Sequence, residues 1–374
     1  MFFQKIIKII NIIFLSNLDF FPPKKNKILI FDRNGSKIIF NYIDKKNCSI
    51  MSTRYENFNL YVIFLMIVKF QKLNMLSYFD TYIKFCQPSY IFTYTDNNFN
   101  FYRLKKLNYK IRFIAIQNGI RDFQLEGYNE ILSEKLFIDD FFVFSKNSGK
   151  EINKYIKAKF YPIGSLKNNF FYKNKSKKKN KVFFISQFFN KSFDLKKKSF
   201  QNFYKCEHKL LTYLNDYFKD TKYELIILAR NFSNNKKNEL IFYRNIFKSN
   251  RFNIEFKNNE NESYKYFNGK NFFIFIRSTL GFEAWSRNER AISFAERKID
   301  KLDEFYIDPF RKLKKKGFFY TNNMNQNEFK RLMNNLFSKN QIMIKKETDK
   351  LKNYFLKYDY NNKIFRKYLK KYKI

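Results

Sequence analysis

Short apolar runs, rich in β-branched and aromatic residues, recur along the chain from residue 27 onward. Between them lie longer stretches whose apolar positions return every three or four residues. The runs predict buried strands and the periodic stretches predict helices. In the first half the strands are "KILIFD", "CSIMSTR", "SYIFTYTDNN", "IRFIAIQNG", "DDFFVFS" and "KFYPIGS". Helices are expected at residues 59–70 and 76–86, at "FNFYRLKKL" and at "GKEINKYIK". The longest unbroken apolar run, Leu60 to Val68, ends at Lys69 and is expected to be a buried helix.

The pattern dissolves at residues 167–181, "KNNFFYKNKSKKKNK", which reads as a linker, and then restarts. Strands follow at "VFFISQ", "YELIILA", "FNIEF", "NFFIFI" and "AISFA". Helices are expected at 203–218, 238–247 and 263–268, in "STLGFEAWSR", and from "NQNEFKRLMNNLF" onward. Such βαβ alternation predicts an α/β protein with parallel, doubly wound sheets. Two such halves describe a GT-B-like layout, two Rossmann-like domains facing a cleft. The boundaries are 1–166 for the N-terminal domain, 182–340 for the C-terminal domain and 341–374 for basic terminal helices. Residues 1–20 form an amphipathic helix, either packed on the first domain or lying in a membrane interface.

Composition changes this picture in two respects. The chain of 374 residues carries a formal net charge of +41, so its partners are expected to include anions. A basic surface spread along the whole chain suits an anionic membrane face or a phosphorylated substrate, and no nucleic-acid motif is present. The single histidine, His208, excludes histidine-based metal sites and triads. Cys48, Cys86 and Cys206 are widely spaced without a C-x-x-C, as expected of buried fillers in a reducing cytoplasm.

In a doubly wound sheet, ligands sit at the carboxyl ends of strands. Five such ends carry polar or glycine-containing turns: "DRNGS", "DNN", "QNGIR", "SQ" and "STLGFE". Ser278 and Thr279 start a helix, where free N–H groups and the dipole favour an anion, so they suit a donor phosphate or simply cap the helix. Gly281 would let the backbone approach the ligand, and Glu283 in the first turn would reach ribose hydroxyls or complement the dipole. Asn118 and Gly119 form a tight turn, with Arg121 either a cleft-lining or a surface cation. Asp96 caps the following helix, or holds the acceptor or a neighbouring loop. Among the carboxylates at these strand ends that could act as a general base, Asp32 leads, beside Gly35, with Asp96, Asp122 and Glu126 behind it, and a turn-capping role is the alternative for Asp32.

The segments "DNNFNFYRLKK", "FIAIQNGIRD", "FVFSKNSGK", "YPIGSLKNN", "VFFISQF" and "STLGFEAWSR" together resemble the bacterial surface carbohydrate biosynthesis proteins, from about residue 25 to about 335. That resemblance implies a GT-B-like glycosyltransferase of lipopolysaccharide or capsule assembly. It implies donor binding by Ser186, Gln187, Arg277, Ser278, Thr279, Gly281 and Glu283. Gly35, Asn97, Asn98, Gln117, Asn118, Gly119 and Arg121 would line the acceptor side. No D-x-D occurs, so a metal-independent mechanism without a cofactor is expected, the nucleotide-sugar being a substrate. Asn288 and Glu289 depart from the family pattern, standing where a Gly-Lys type turn is expected. The acceptor is expected to be a glycan or a lipid-linked glycan, and the protein to be cytoplasmic, on the inner face of the plasma membrane. The alternatives are a nucleotide-sugar epimerase or hydrolase on the same fold, and a non-catalytic basic protein that binds membrane or nucleic acid.

Overall fold

The computed structural model describes residues 16–374 except 34, 55–56, 122, 124–126, 172–180, 189–197, 234–235, 248–251, 260, 296–307 and 339; of residues 198–206 and 341 it describes the backbone only. The chain folds as two compact units, one running to Lys167 and resuming at Asn361–Ile374, the other spanning Asn168–Tyr360.

The strands of the first unit are β1 (Asn17–Asp19), β2 (Ile28–Phe31), β3 (Cys48–Met51), β4 (Asn57–Asn59), β5 (Tyr90–Thr93), β6 (Arg112–Ile116), β7 (Leu136–Val143) and β8 (Ile156–Pro162). Its helices are α1 (Ser36–Ile39), α2 (Leu60–Val68), α3 (Met75–Cys86), α4 (Phe99–Leu107) and α5 (Lys146–Ile152). Six strands form one all-parallel sheet in the order β3-β2-β5-β6-β7-β8, and β1 pairs with β4 in a separate parallel ribbon. All four residues of β2, "ILIF", are buried, as expected of a strand covered on both faces. On one face Phe31 packs against Phe79 of α3 and Phe101 of α4, with ring centroids 5.4 and 5.3 Å apart.

Successive strand residues point to opposite faces, so Phe141 meets α4 through Tyr102 while its neighbour Phe142 faces the other way. There Phe142 receives a helix from the far end of the chain. Past α6 (Leu166–Phe170), α7 (Lys198–Phe218), α8 (Lys237–Phe247), α9 (Thr279–Ser286), α10 (Gln326–Phe337) and α11 (Gln341–Phe355) comes α12 (Lys363–Tyr372), which belongs to the first unit. Phe365 and Tyr368 of α12 each lie 5.0 Å from Phe142. Asp140, fully buried on the same face, accepts hydrogen bonds of 2.6 Å from both Arg112 Nε and Tyr368 Oη. Burial beside that carboxylate pushes the Tyr368 hydroxyl far above the usual phenol range.

The second unit contributes β9 (Val182–Ile185), β10 (Leu225–Phe232), β11 (Phe252–Lys257), β12 (Phe272–Phe275), β13 (Arg290–Phe294) and β14 (Tyr320–Thr321). They form a second all-parallel sheet in the order β11-β10-β9-β12-β13-β14. Strands "VFFI" and "FFIF" are again wholly buried.

The α/β reading with doubly wound parallel sheets therefore holds. Four local expectations do not. Residues 17–19 form strand β1 in place of part of the expected N-terminal helix, because β4 supplies the backbone partners; the rest of that helix, through residue 15, lies outside the described residues. Helix α2 is not buried: only Val62 and Met66 are enclosed, since it packs on α3 and β1 along one stripe. The helix expected at 263–268 is a short 3-10 turn, Glu262–Tyr266. Within the expected linker, α6 is helical, and Asn168 and Asn169 are fully buried.

The packing generates two predictions. Asp140→Asn keeps the shape but removes the charge that Arg112 and Tyr368 bond, and should destabilise the first unit by about 1.5–3 kcal/mol. Urea unfolding with an unchanged slope checks this, and a loss within error would mean that Asp140 contributes nothing. Burial pushes the Cys48 thiol up to about 11 and the Cys86 thiol up to about 12. Both should resist iodoacetamide in the native protein at about pH 8, where a free thiol reacts, and become labelled on unfolding.

Candidate functional site

In a doubly wound sheet the loops at the carboxyl ends of the strands part company where the strand order reverses, and ligands bind in the crevice this opens. In the first sheet that point lies between β2 and β5. Asp32 follows β2 directly, and its N–H still donates to Met51 O at 3.0 Å, extending the ladder by one residue. Its φ of 79° is left-handed, which costs a residue with a Cβ, and its side chain is fully buried. Oδ2 accepts from Thr95 Oγ1 at 2.8 Å, just past β5, and from Arg54 Nε at 3.2 Å. The turn that follows is pinned by Gly35, at φ 75°, because any Cβ there would strike the Tyr94 ring.

One strand further along, "DNN" and "QNGIR" meet. Asp96 is fully buried and accepts from Arg121 Nε at 2.8 Å and from Arg121 Nη2, and from Asn118 N at 3.1 Å. Arg121, also buried, reaches Asn118 Oδ1 as well. Gln117 clips the turn by donating to Gly119 O at 2.9 Å and accepting from Phe144 N at 2.8 Å. Asn98 caps α4, accepting from Asn100 N at 3.2 Å, and Asn97 is exposed. A bidentate, enclosed Asp96 is a positioning group for this loop, whereas Asp32 remains the carboxylate at the reversal itself. Asp122 and Glu126 lie outside the described residues.

The second sheet reverses between β9 and β12, the 3-2-1-4-5-6 order of a dinucleotide-binding sheet. Ser186 and Gln187 follow β9, and Arg277, Ser278 and Thr279 follow β12, so both loops open at the reversal. Gln187 Oε1 accepts from Arg277 N at 3.0 Å and ties them together. Ser186 Oγ donates to the buried Glu239 at 2.5 Å. Glu239 also accepts from Arg230 N and Asn231 N, each at 2.9 Å, which fixes the carboxyl end of β10. Ser278 occupies the N-cap position of α9 with φ −78° and ψ 137°, yet its hydroxyl makes no capping bond. Ser278 O instead accepts from Gly281 N at 2.9 Å and Phe282 N at 3.3 Å, and the positive end of the α9 dipole lies at the reversal.

The structure adds to one expectation about this stretch and corrects another. Gly281 has a packing reason beside the expected one: it lets α9 lie on β12, because a Cβ there would fall inside the Phe275 ring. Glu283 lies beyond the first turn and is buried, accepting from Tyr264 Oη at 2.9 Å. The departure at Asn288 and Glu289 also has a reason. Asn288 adopts φ 58°, a conformation asparagine tolerates nearly as glycine does, and Glu289 accepts from Gly269 N at 2.8 Å. The "KNN" piece is structural, Asn168 accepting from Arg287 Nε at 2.6 Å and Asn169 from Asp359 N at 3.0 Å. Sequence reasoning did not single out Thr95, Arg54, Glu239 or Arg287; a carboxylate on a helix and an arginine after one look like surface charges. His208 is exposed on α7, and no group of three metal-binding side chains occurs among the described residues.

Two all-parallel sheets, each with polar loops at its reversal, define a GT-B-like fold of paired Rossmann-like units. The chain belongs to the family described as O-antigen biosynthesis proteins, whose profile matches residues 114–373. Among solved structures it is similar to a Staphylococcus aureus MnaA–UDP complex, at 12% identity and a TM-score of 0.54, covering 93% of this chain and 96% of that one. It is also similar to a UDP-N-acetylglucosamine 2-epimerase from Listeria monocytogenes, at 11% identity and a TM-score of 0.52, covering 94% and 97%. A further UDP-N-acetylglucosamine 2-epimerase matches at 9% identity and a TM-score of 0.50, covering 94% and 97%. Identities this low establish the shared fold. No curated protein matches the sequence.

The geometry of the Asp96 pair makes a prediction. Arg121→Met leaves a buried carboxylate without its cation and should destabilise the first unit by about 3–5 kcal/mol. Chemical denaturation measures this, and a loss below about 1 kcal/mol would show that the pair is as weak as a surface one.

Proposed function

We propose that the protein is a glycosyltransferase that moves a sugar from a nucleotide-sugar to a surface glycan, O-antigen or capsule, without a metal ion. Membership of the O-antigen biosynthesis family supports surface-glycan synthesis as the setting. The observation that carries the donor assignment is the junction of β9 and β12, where Gln187 holds Arg277 N at 3.0 Å beside the uncapped start of α9. The positive end of the helix dipole and the hydroxyls of Ser278 and Thr279 suit a diphosphate. The fold is shared with a structure described as a complex with UDP, which supports a nucleotide ligand.

The first unit takes the acceptor. Asp32 receives the acceptor hydroxyl proton as the oxygen bonds to the anomeric carbon and the bond to the nucleotide diphosphate breaks. Thr95 and Arg54 hold the carboxylate while it does so. The acceptor is a glycan or lipid-linked glycan met at the cytoplasmic face of the membrane.

Calorimetric titration with UDP-, CMP-, GDP- and dTDP-sugars should identify one nucleotide that binds in a 1:1 complex. Ser278→Ala combined with Thr279→Val should then weaken it about tenfold or more, each bond to a charged phosphate being worth about 1.5–3 kcal/mol. Unchanged affinity with a lowered melting temperature would retire the phosphate site and leave Ser278 a helix-terminal residue only. Turnover of the sugar-nucleotide without any acceptor would assign the chain to epimerases or hydrolases instead.

A further inference from the structure

Helix α2 carries an apolar surface that the described residues of its own unit leave uncovered. Phe64 and Ile67, 59% and 57% exposed, project from the side opposite Val62 and Met66. The turn behind the helix adds Phe70, 97% exposed, and Leu73, 61% exposed. Phe70 sits at φ 49°, in the position where a helix ordinarily ends on glycine. A bulky aromatic held in left-handed backbone and 97% exposed costs stability and is not covered by the described residues. At the other end of α2, the β1–β4 ribbon and a 2.8 Å bond from Asn59 Nδ2 to Phe21 O hold Phe20 and Phe21 at the helix N-terminus. Asn59 also caps α2 through Val62 N at 3.0 Å, so that end is fixed as one piece.

The charge around this surface has one sign. No acidic residue occurs from residue 57 to residue 79, while Lys69 and Lys72 flank Phe70 and are exposed. Lys24 and Lys25, just after Phe21, are exposed as well, against one acid, Asp19. Protruding aromatics beside lysines match a lipid bilayer with anionic headgroups: the rings enter the boundary of the acyl chains and the ammonium groups stay among the phosphates. A protein partner would need acids placed opposite each lysine, whereas an anionic membrane offers a continuous negative surface. No described helix is long and apolar enough to cross a membrane, so the contact is peripheral.

We propose that this corner, Phe20, Phe21, Phe64, Ile67, Phe70 and Leu73 with Lys69 and Lys72, docks the protein on an anionic bilayer. The inference stands on this surface alone and is independent of which sugar reaction the protein performs.

Flotation of the full chain with vesicles of phosphatidylcholine alone, or with about one third phosphatidylglycerol, tests it. Binding is expected only to the anionic vesicles and should weaken as salt shortens the Debye length. Phe64→Ser with Phe70→Ser should reduce binding at least about tenfold, and Lys69→Glu with Lys72→Glu should do so separately. Phe137→Ser, an exposed aromatic on β7 away from this corner, should leave binding unchanged. Nucleotide-sugar affinity, measured in parallel, should be the same in all variants, which separates failure of docking from failure of the transferase reading. Anionic binding that both double variants retain overturns the proposal. So does a wild-type dimer in solution that the Phe64 and Phe70 substitutions convert to monomer, because the occupant is then a second copy of this chain.

Discussion

The reversal of strand order beside β2 in one sheet and beside β9 in the other is the constraint on which the polar architecture depends. Parallel strands covered by helices on both faces leave no room for polar side chains along their length, and the buried "ILIF", "VFFI" and "FFIF" segments bear this out. Chemistry is confined to the strand ends. At a reversal the chain leaves neighbouring strands for opposite faces, so the two loops separate and a ligand can reach backbone that elsewhere is sealed. Asp32 with Thr95 in one unit, and Gln187 with Arg277 in the other, each span such a point.

Around those openings the protein fixes its loops with buried carboxylates. Asp96 holds the loop after β6, Glu239 the carboxyl end of β10, and Asp140 the helix laid across β6 and β7. Each is matched by cations, hydroxyls or backbone N–H groups, as enclosed charge requires. In a chain with 33 acids against 74 strong bases, spending acids in the interior leaves the outer surface still more cationic than composition suggests. Interior order and surface charge are thus two sides of one allocation.

Much of the fold was legible because strands buried on both faces must be apolar runs, and such runs stand out in a lysine-rich chain. The pieces that escaped had too little sequence to carry a period: β14 is two residues, and β1 and β4 are three each. Helix α2 misled for the opposite reason, since nine consecutive apolar residues look like core until the fold shows only one stripe enclosed. At the site, Asp32, Asp96 and Arg121 were readable as polar residues just past strands. That Asp96 and Arg121 are bound to each other was not, because 24 intervening residues separate two loops that only the sheet brings together. Gly281 was noticed for its position, but its close neighbour, the Phe275 ring across the helix–strand contact, was not readable.

The return of the chain to its first unit has a consequence for biosynthesis. Residues 361–374 supply a helix to the sheet built by residues up to Lys167, yet they are synthesised after every residue of the second unit. Until they emerge, the face of β7 bearing Phe142 and Asp140 lacks its cover. The usual vectorial order, in which an N-terminal domain is finished first, is therefore inverted: the later-made unit can close while the earlier one still waits. A chain truncated just short of α12 would hold every residue of the second unit and leave the Phe142 face of the first one open, which makes that helix the latch of the first unit.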